Sequence, residues 1–597
     1  MLYFATIWTL LLLVCGVIGT GLRHWSRSNA FVRVGDRLII SQWLGVIVLA
    51  VTLLAVSLLA PLSLPIGVLV ASVLCSLALM SPSARLELLG QFQQLKGVIL
   101  LGYSAVVLSL AALLTRPVTW LDTGLYHYSA IQWLAQYGSV TGVALIFNNL
   151  GFVSAWFALS APLNPAILGA RGAAVLGGFV LLLAVLHWLV CLLQWIDNCG
   201  QASDRFGLIF LSLLLPIVLL FRLFTQILVS PSPDMPVAFL IGIVPWAILV
   251  IDNAEIKPEP PRRRTNHAAI IPLILSVGAM TIKLTTFPLL VIGSLYYLTR
   301  NFRSGRQLGV GGVVAGLLLA PMLLAGIKMS GCPLYPSSVL CFDLPWLPSL
   351  EKITEVERGT HGWTTWFGSP PDNENPWLWL LRSWLQSERS NLGIVLLSLL
   401  SATAIVVSLK PLLESSVRGK YWVLATGTLG FSFLMATAPF LRFALPYLLV
   451  LPSLVLLIWY ERIFPRAALS GDESGVALQY FFVPPSVSSS YLSRLLGIPH
   501  QIIVSIALAV IAVVLTIFLQ RNPIAHVFLP PPMRTTAFVT KQVNDITYFS
   551  PEVTGEVCWD IPLPCGFIID PDVRLRNPDR GVSSGFVRDQ TIRVEDY

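Results

Sequence analysis

Long apolar stretches, almost free of charge, recur from the first residues to about residue 520, most of them separated by short polar loops. A helix of about 20 such residues matches the hydrocarbon thickness of a bilayer. In lipid the backbone must also satisfy its own hydrogen bonds, so a chain built this way folds as a bundle of spanning helices. The stretches lie at about 2–22, 38–60, 66–80, 97–114, 173–195, 206–222, 237–252, 268–282, 285–299, 308–328, 392–409, 421–440, 443–460 and 501–520. They predict an all-α polytopic membrane protein with about fourteen transmembrane helices. Composition agrees: 55% of residues are hydrophobic and 11% charged, against the ~25% charged that is usual in soluble domains.

The formal charge of +8 does not imply nucleic acid, because the basic residues fall mostly in short loops on one side, as the positive-inside bias requires. Arg23, Arg27, Arg33 and Arg37, then Arg85 and Lys96, Lys257 and Arg262 to Arg264, and Arg300, Arg303 and Arg306 all fall inside if the first residue faces outward. This parity works only if the apolar segment 150–163, shorter than a span and closed by Pro162 and Pro165, does not cross. The first stretch has no basic leader and no small-residue cleavage site, so it reads as an uncleaved anchor. The expected location is a cell membrane, the inner membrane of a bacterium, with the N-terminus and tail extracytoplasmic. No internal repeat is visible.

Three segments then share the outer face: 115–172, 330–391 and the tail 521–597. The first is too polar for a connector, with Asp122, His127, Asn148, Asn149 and many Tyr and Trp. Residues 124–137 have helical spacing between Asp122 or Thr123 at the N-cap place and Gly138 at the C-cap place. With 150–163 they predict two helices lying at the membrane surface. The second outer segment carries Trp346, Trp363, Trp366, Trp377, Trp379 and Trp384, which either form a headgroup belt or stack on a sugar.

Asp122 is the leading catalytic candidate, since an ionisable group beside a bilayer is costly, although an aspartate ahead of a helix also serves as a cap. On α-helical spacing Tyr126 and Ser129 share its face and His127 turns away. Asp234, in the turn SPSPD, is a second carboxylate on the same side, in a setting that Ser, Pro and Asp also form for local reasons. Arg442 sits in a very short outer turn, where gripping a lipid phosphate or capping helix carbonyls accounts for it; Lys283 and Arg222 make weaker versions of the same claim. Metal-ligand spacing, a Gly-rich phosphate loop, a nucleophile elbow and a redox CxxC are all missing from the sequence. Among the eight cysteines, Cys332 with Cys341 and Cys558 with Cys565 are close pairs in Pro-rich outer segments, where local disulfides are expected; a crossed pairing of loop to tail is the alternative. Cys15, Cys75, Cys191 and Cys199 read as small buried hydrophobes.

The 115–171 stretch resembles the first outer loop of GT-C glycosyltransferases, in which an acidic motif, a surface helix ending in a Gly turn, a second surface helix and an Arg opening the next span follow one another. Asp122, Gly138, the segment 149–163 and Arg171 match these in turn, with Asn148 and Asn149 where a Lys-Pro often stands, and Asp234 matches a second acidic turn. More closely, DTGLYHYSAIQWLAQYG, SAWFALSA, SPSPD, SGCPLYPS, LRFALPY and CWDIPLPC together resemble a family of uncharacterised bacterial multi-pass proteins, from about residue 97 onward. The resemblance implies a GT-C-like helical domain over 97–520, three extra spans within 1–96, and a small outer tail over 521–597. The activity it implies is transfer of a sugar from a polyprenyl-phosphate donor to a glycan, lipid or protein acceptor. Asp122 and Asp234 would be the catalytic residues, with His127, Tyr128, Asn148, Asn149, Arg442 and Lys283 binding substrate. It specifies no cofactor and allows a divalent cation. A flippase for a lipid-linked sugar or small solute, and an envelope scaffold, are the rival classes.

Overall fold

The computed structural model describes residues 1–28, 30–93, 97–197, 200–254, 265–360, 370–371, 373–464 and 526–589. The expected span at 501–520, Lys96, Lys257, Arg262 to Arg264, Cys199, Trp363 and Trp366 lie outside the described residues.

The chain is mostly helical. In order come α1 (Leu2–Trp25), α2 (Val34–Ser57), α3 (Leu64–Leu79), α4 (Pro82–Gln93), α5 (Gly97–Leu114), α6 (Tyr128–Tyr137), α7 (Ala155–Ser160), α8 (Val175–Ile196), α9 (Ala202–Leu220), α10 (Arg222–Leu228) and α11 (Asp234–Ala254). Then follow α12 (Thr265–Ala268), α13 (Ile270–Ile282), α14 (Phe287–Asn301), α15 (Gly305–Ser330), α16 (Leu350–Thr360), α17 (Pro376–Ser387), α18 (Arg389–Val407), α19 (Leu409–Glu414), α20 (Lys420–Thr437) and α21 (Leu441–Ile463). Seven of these, α1, α2, α8, α9, α11, α15 and α21, are long and apolar enough to cross a membrane, and the bent pairs α3 with α4 and α17 with α18 raise the number to nine. The protein is a helical multi-pass membrane protein. Each expected stretch within the described residues coincides with a helix to within a few residues at either end.

Helix α11 is apolar on every side, and its most hydrophobic window is wholly buried, as an all-round apolar helix must be. It packs against α8, α9, α13 and α21. Where α1 crosses α2, Gly19 and Gly45 let the backbones touch: a Cβ at Gly45 would lie 2.0 Å from the Cys15 carbonyl oxygen, the close approach small residues permit in a lipid-embedded bundle. Ion pairs tie the helices at their ends. On one face Arg33 bonds Asp36 and Asp204 at 2.5–2.9 Å, joining α2 to α9. Arg23 and Arg37 meet Glu87 on α4, and Arg300 meets Asp252 on α11.

The opposite face carries the N-terminus, the 115–171 stretch, the end of α15 and the tail. Two antiparallel pairs of strands, β1 (Phe538–Val543) with β2 (Ile546–Pro551) and β3 (Val573–Leu575) with β4 (Phe586–Arg588), fold the small tail beside the helical bundle. The tail is pinned along its length. The Leu2 amide donates to the Val527 carbonyl at 2.8 Å, Arg171 to Pro530 at 2.8 Å and Phe586 to Thr141 at 2.9 Å, while Lys352 pairs with Asp570. Cys332 is bonded to Cys341 and Cys558 to Cys565.

One expectation fails here. The segment 150–163 is not a surface helix: it breaks into a 3-10 turn (Asn148–Gly151), the six-residue α7 and a second 3-10 turn (Ala161–Leu163), and every residue of α7 is buried. Ser154 caps α7 and Pro162 tightens its end, while a segment apolar on all sides has no face to offer headgroups and wedges between α6 and α2 instead. The tryptophans divide as well. Trp346 and Trp384 spend their indole N–H on the Ile327 and Pro439 carbonyls, whereas Trp377 on α17 is largely exposed, as a belt residue is.

Candidate functional site

Four charged side chains from four separate elements converge on the tail-bearing face. Asp122 lies in the helical turn ahead of α6, and Asp234 is the first residue of α11, placed there by the Ser-Pro turn in which the Ser232 hydroxyl accepts from the Asp234 amide at 3.3 Å. A carboxylate is favoured at that end by the helix dipole. Lys283 follows the last turn of α13, where a cation is likewise favoured. Arg442 is the second residue of α21, the end at which a cation is disfavoured, so partners must hold it.

Those partners are carboxylates and not helix carbonyls. Arg442 Nη1 donates to Asp122 Oδ2 at 3.2 Å, and its Nε lies 3.9 Å from Asp234 Oδ2. Asp234 in turn pairs with Lys283. The result is a chain, Asp122 to Arg442 to Asp234 to Lys283, with no net formal charge. Asp234 forms its floor with 3% of its side chain exposed, while Asp122, Arg442 and Lys283 form a rim at 22–23%. Aromatic rings frame the cations: the guanidinium lies 5.0 Å from the Trp120 ring and 4.8 Å from Phe443, and Lys283 Nζ sits 4.0 Å above the same Phe443. Trp120 and Phe443 carry no sign of this role in the sequence beyond adjacency to Asp122 and Arg442.

Residues 123–127 do not continue the α-helical period. They form one π-helical turn (Thr123–His127) before α6 begins, and Gly138 with φ +75° ends α6 as its cap. Asp122 makes no capping bond. An i to i+5 turn brings residue 127 under residue 122, so His127, expected to turn away, lies beside the charged group. Its ring is 4.4 Å from Tyr126 and 5.2 Å from Phe157. Burial pushes the imidazole down to about 3, with Lys283 and Arg442 acting the same way and Asp234 opposing. The half-buried Tyr126 phenol is raised, first by desolvation and then by Asp122 and Asp234, so it stays a hydrogen-bond donor. Burial lowers the Lys283 ammonium, while Asp234 opposes that.

Four polar atoms around this group have no hydrogen-bond partner among the described residues: Arg442 Nε, Trp120 Nε1, Thr123 Oγ1 and His127 Nδ1. Unsatisfied buried donors are scarce in folded proteins, and a cluster of them beside a half-open charged rim suits a polar ligand.

The other candidates fall elsewhere. Tyr128 faces the tail, in a cluster with Val118, Ala170, Ala173, Met533, Val557 and Trp559. Asn148 and Asn149 open the 3-10 turn that packs on α15 and α16. Arg222 is exposed at the start of α10. Both carboxylates are already engaged by cations, and no group of three His, Cys, Asp or Glu that suits a metal occurs among the described residues.

The buried neutral imidazole makes stability depend on pH. The unfolded chain takes up this proton near the ordinary ~6.5 and the folded chain only near about 3, so between those values the unfolded state binds more protons. His127's contribution is intact above about pH 6.5 and is lost as pH falls toward about 3. Thermal midpoints in detergent, compared between wild type and His127→Gln from about pH 7 to about pH 4.5, are expected to converge as pH drops. Parallel curves would reject a buried neutral His127.

Fold and site together define a multi-pass helical membrane protein with a charged, partly open site on the face that also bears the tail. The family model described as Domain of unknown function (DUF8201) matches residues 1–449, and the chain belongs to that family. No curated protein and no solved structure matches the chain.

Proposed function

We propose that the chain is a membrane glycosyltransferase that moves a sugar from a polyprenyl-phosphate donor to a hydroxyl acceptor at the extracytoplasmic face, with about fourteen spans and both the N-terminus and the tail outside. The observation that carries this reading is Arg442, held between Asp122 and Asp234 at a partly exposed rim with its Nε unpartnered among the described residues. A phosphate is the ligand a guanidinium grips most strongly, and Lys283 lies one carboxylate away.

In this mechanism the donor phosphate takes Arg442, which loosens the Arg442 pair with Asp122 and releases that carboxylate for the acceptor. The acceptor oxygen attacks the anomeric carbon, its proton passes to Asp122, and the bond from that carbon to the phosphate oxygen breaks. The lipid phosphate leaves with the electron pair, its charge met by Arg442 and Lys283. The neutral His127 and the protonated Tyr126 are placed to orient either substrate by hydrogen bonds.

The rival flippase needs ionisable groups along its path. The ion pairs joining helices among the described residues instead gather at the two ends of the bundle, which favours an enzyme working at one face. Purified protein given a radiolabelled polyprenyl-phosphate sugar and a hydroxyl acceptor is expected to remove label from the lipid. Label that stays on the lipid, with every acceptor class offered, would overturn the proposal.

A further inference from the structure

We infer that Trp559, in the C-terminal tail, is a positioning residue that braces the π-helical turn Thr123–His127 and thereby sets the aim of Asp122. Three observations carry this. Trp559 has φ +41°, a left-handed conformation that a bulky side chain adopts only when its surroundings compel it. Its backbone amide donates to the Gly124 carbonyl at 3.0 Å, inside the π-turn. Its indole lies flush on Gly124, where an added Cβ would sit 2.5 Å from Cδ2 of the indole and 2.7 Å from Val557 Cγ2.

The indole is 5% exposed, and the tail cannot easily withdraw it. The neighbouring Cys558 is bridged to Cys565, and the tail is held upstream by Leu2 and Arg171 and downstream by Lys352 and Thr141. A single π-turn is a strained insertion in a helix that otherwise runs at 3.6 residues per turn. Relaxing it to α-helical pitch would rotate Asp122 relative to α6 by about 100°, one residue's worth, and would carry His127 away from the charged rim. Glycine at 124 leaves the space, and Trp559 fills it, so the irregular turn is held from outside by a segment more than 400 residues distant in sequence.

This role rests on the reading of Asp122 as the catalytic base, and the experiment separates the two. Hydrogen exchange is followed by mass spectrometry in the full chain in detergent, for wild type, Trp559→Ala, Trp559→Phe and Gly124→Ala. Exchange in peptides covering 121–128 is expected to rise about tenfold in Trp559→Ala and in Gly124→Ala, with α8 unchanged and Trp559→Phe close to wild type. With the transferase assay, kcat is expected to fall about tenfold in the same two variants while KM for the donor changes less than about twofold, because the base is misaimed and the phosphate grip is intact. Gly124→Ala reaches the contact from the helix side, so a folding defect in the tail variant does not decide the matter. Unchanged exchange over 121–128 in both variants would overturn the brace. Raised exchange with unaltered kcat would overturn the positioning role. If wild type transfers no sugar, the functional proposal fails, and the exchange data alone decide whether Trp559 braces the turn.

Discussion

Asp122→Asn is expected to lower sugar transfer by about 100-fold or more, the usual cost of removing a general base, with thermal stability close to wild type. The stability half of that expectation comes from the site's geometry. Asp122 is at the rim, 23% exposed, and contributes no cap to its helix, so the amide keeps the shape and loses one partly solvated ion pair with Arg442. Exposed or half-exposed pairs contribute roughly 0–1 kcal/mol. Steady-state transfer and a detergent melting curve, measured on the same preparation, check both halves. Activity above about a tenth of wild type would remove Asp122 from the role of base.

Asp234→Ala is expected to act the other way round, as a stability loss of about 3–5 kcal/mol, because it strips the buried floor from beneath two cations. Asp234 is 3% exposed and pairs with Lys283 while Arg442 Nε lies 3.9 Å from it; without it two positive charges are left beside the same Phe443 ring with no carboxylate between them. Removing one partner of a buried pair leaves the other charge desolvated and uncompensated, which is why the cost exceeds what the intact pair contributes. Asp234→Asn, which retains a hydrogen-bond acceptor for Lys283, is expected to lose less. Denaturant unfolding in mixed micelles measures the difference, and an Asp234→Ala protein within about 1 kcal/mol of wild type would show that the quartet is not held together through its floor.

The charged group shows how far local pattern reaches. Asp122, Asp234, Lys283 and Arg442 were each legible as ionisable groups beside apolar stretches, where burial cost makes any charge conspicuous. What joins them was not legible, because Asp122 and Arg442 are 320 residues apart and nothing in either neighbourhood names the other. The facing of His127 differs from its α-helical expectation for a related reason. Face assignment presumed 3.6 residues per turn, and the π-turn that changes the period is held open by Trp559 from the tail, so no window around residue 127 contains its cause.

Sequence alone determined that this chain is a multi-pass membrane protein, where its long apolar helices within the described residues run to within a few residues, and which cysteines lie close enough to pair. All of these follow from properties summed over at most about 25 adjacent residues: hydrophobic length, loop charge, turn-forming residues and short spacing. Tertiary structure alone decided the burial of α7, the strands of the tail, the π-turn, and the closing of two carboxylates around Arg442. Each of these depends on which distant surface an element meets, and burial free energy is set by that meeting and not by the element's own pattern.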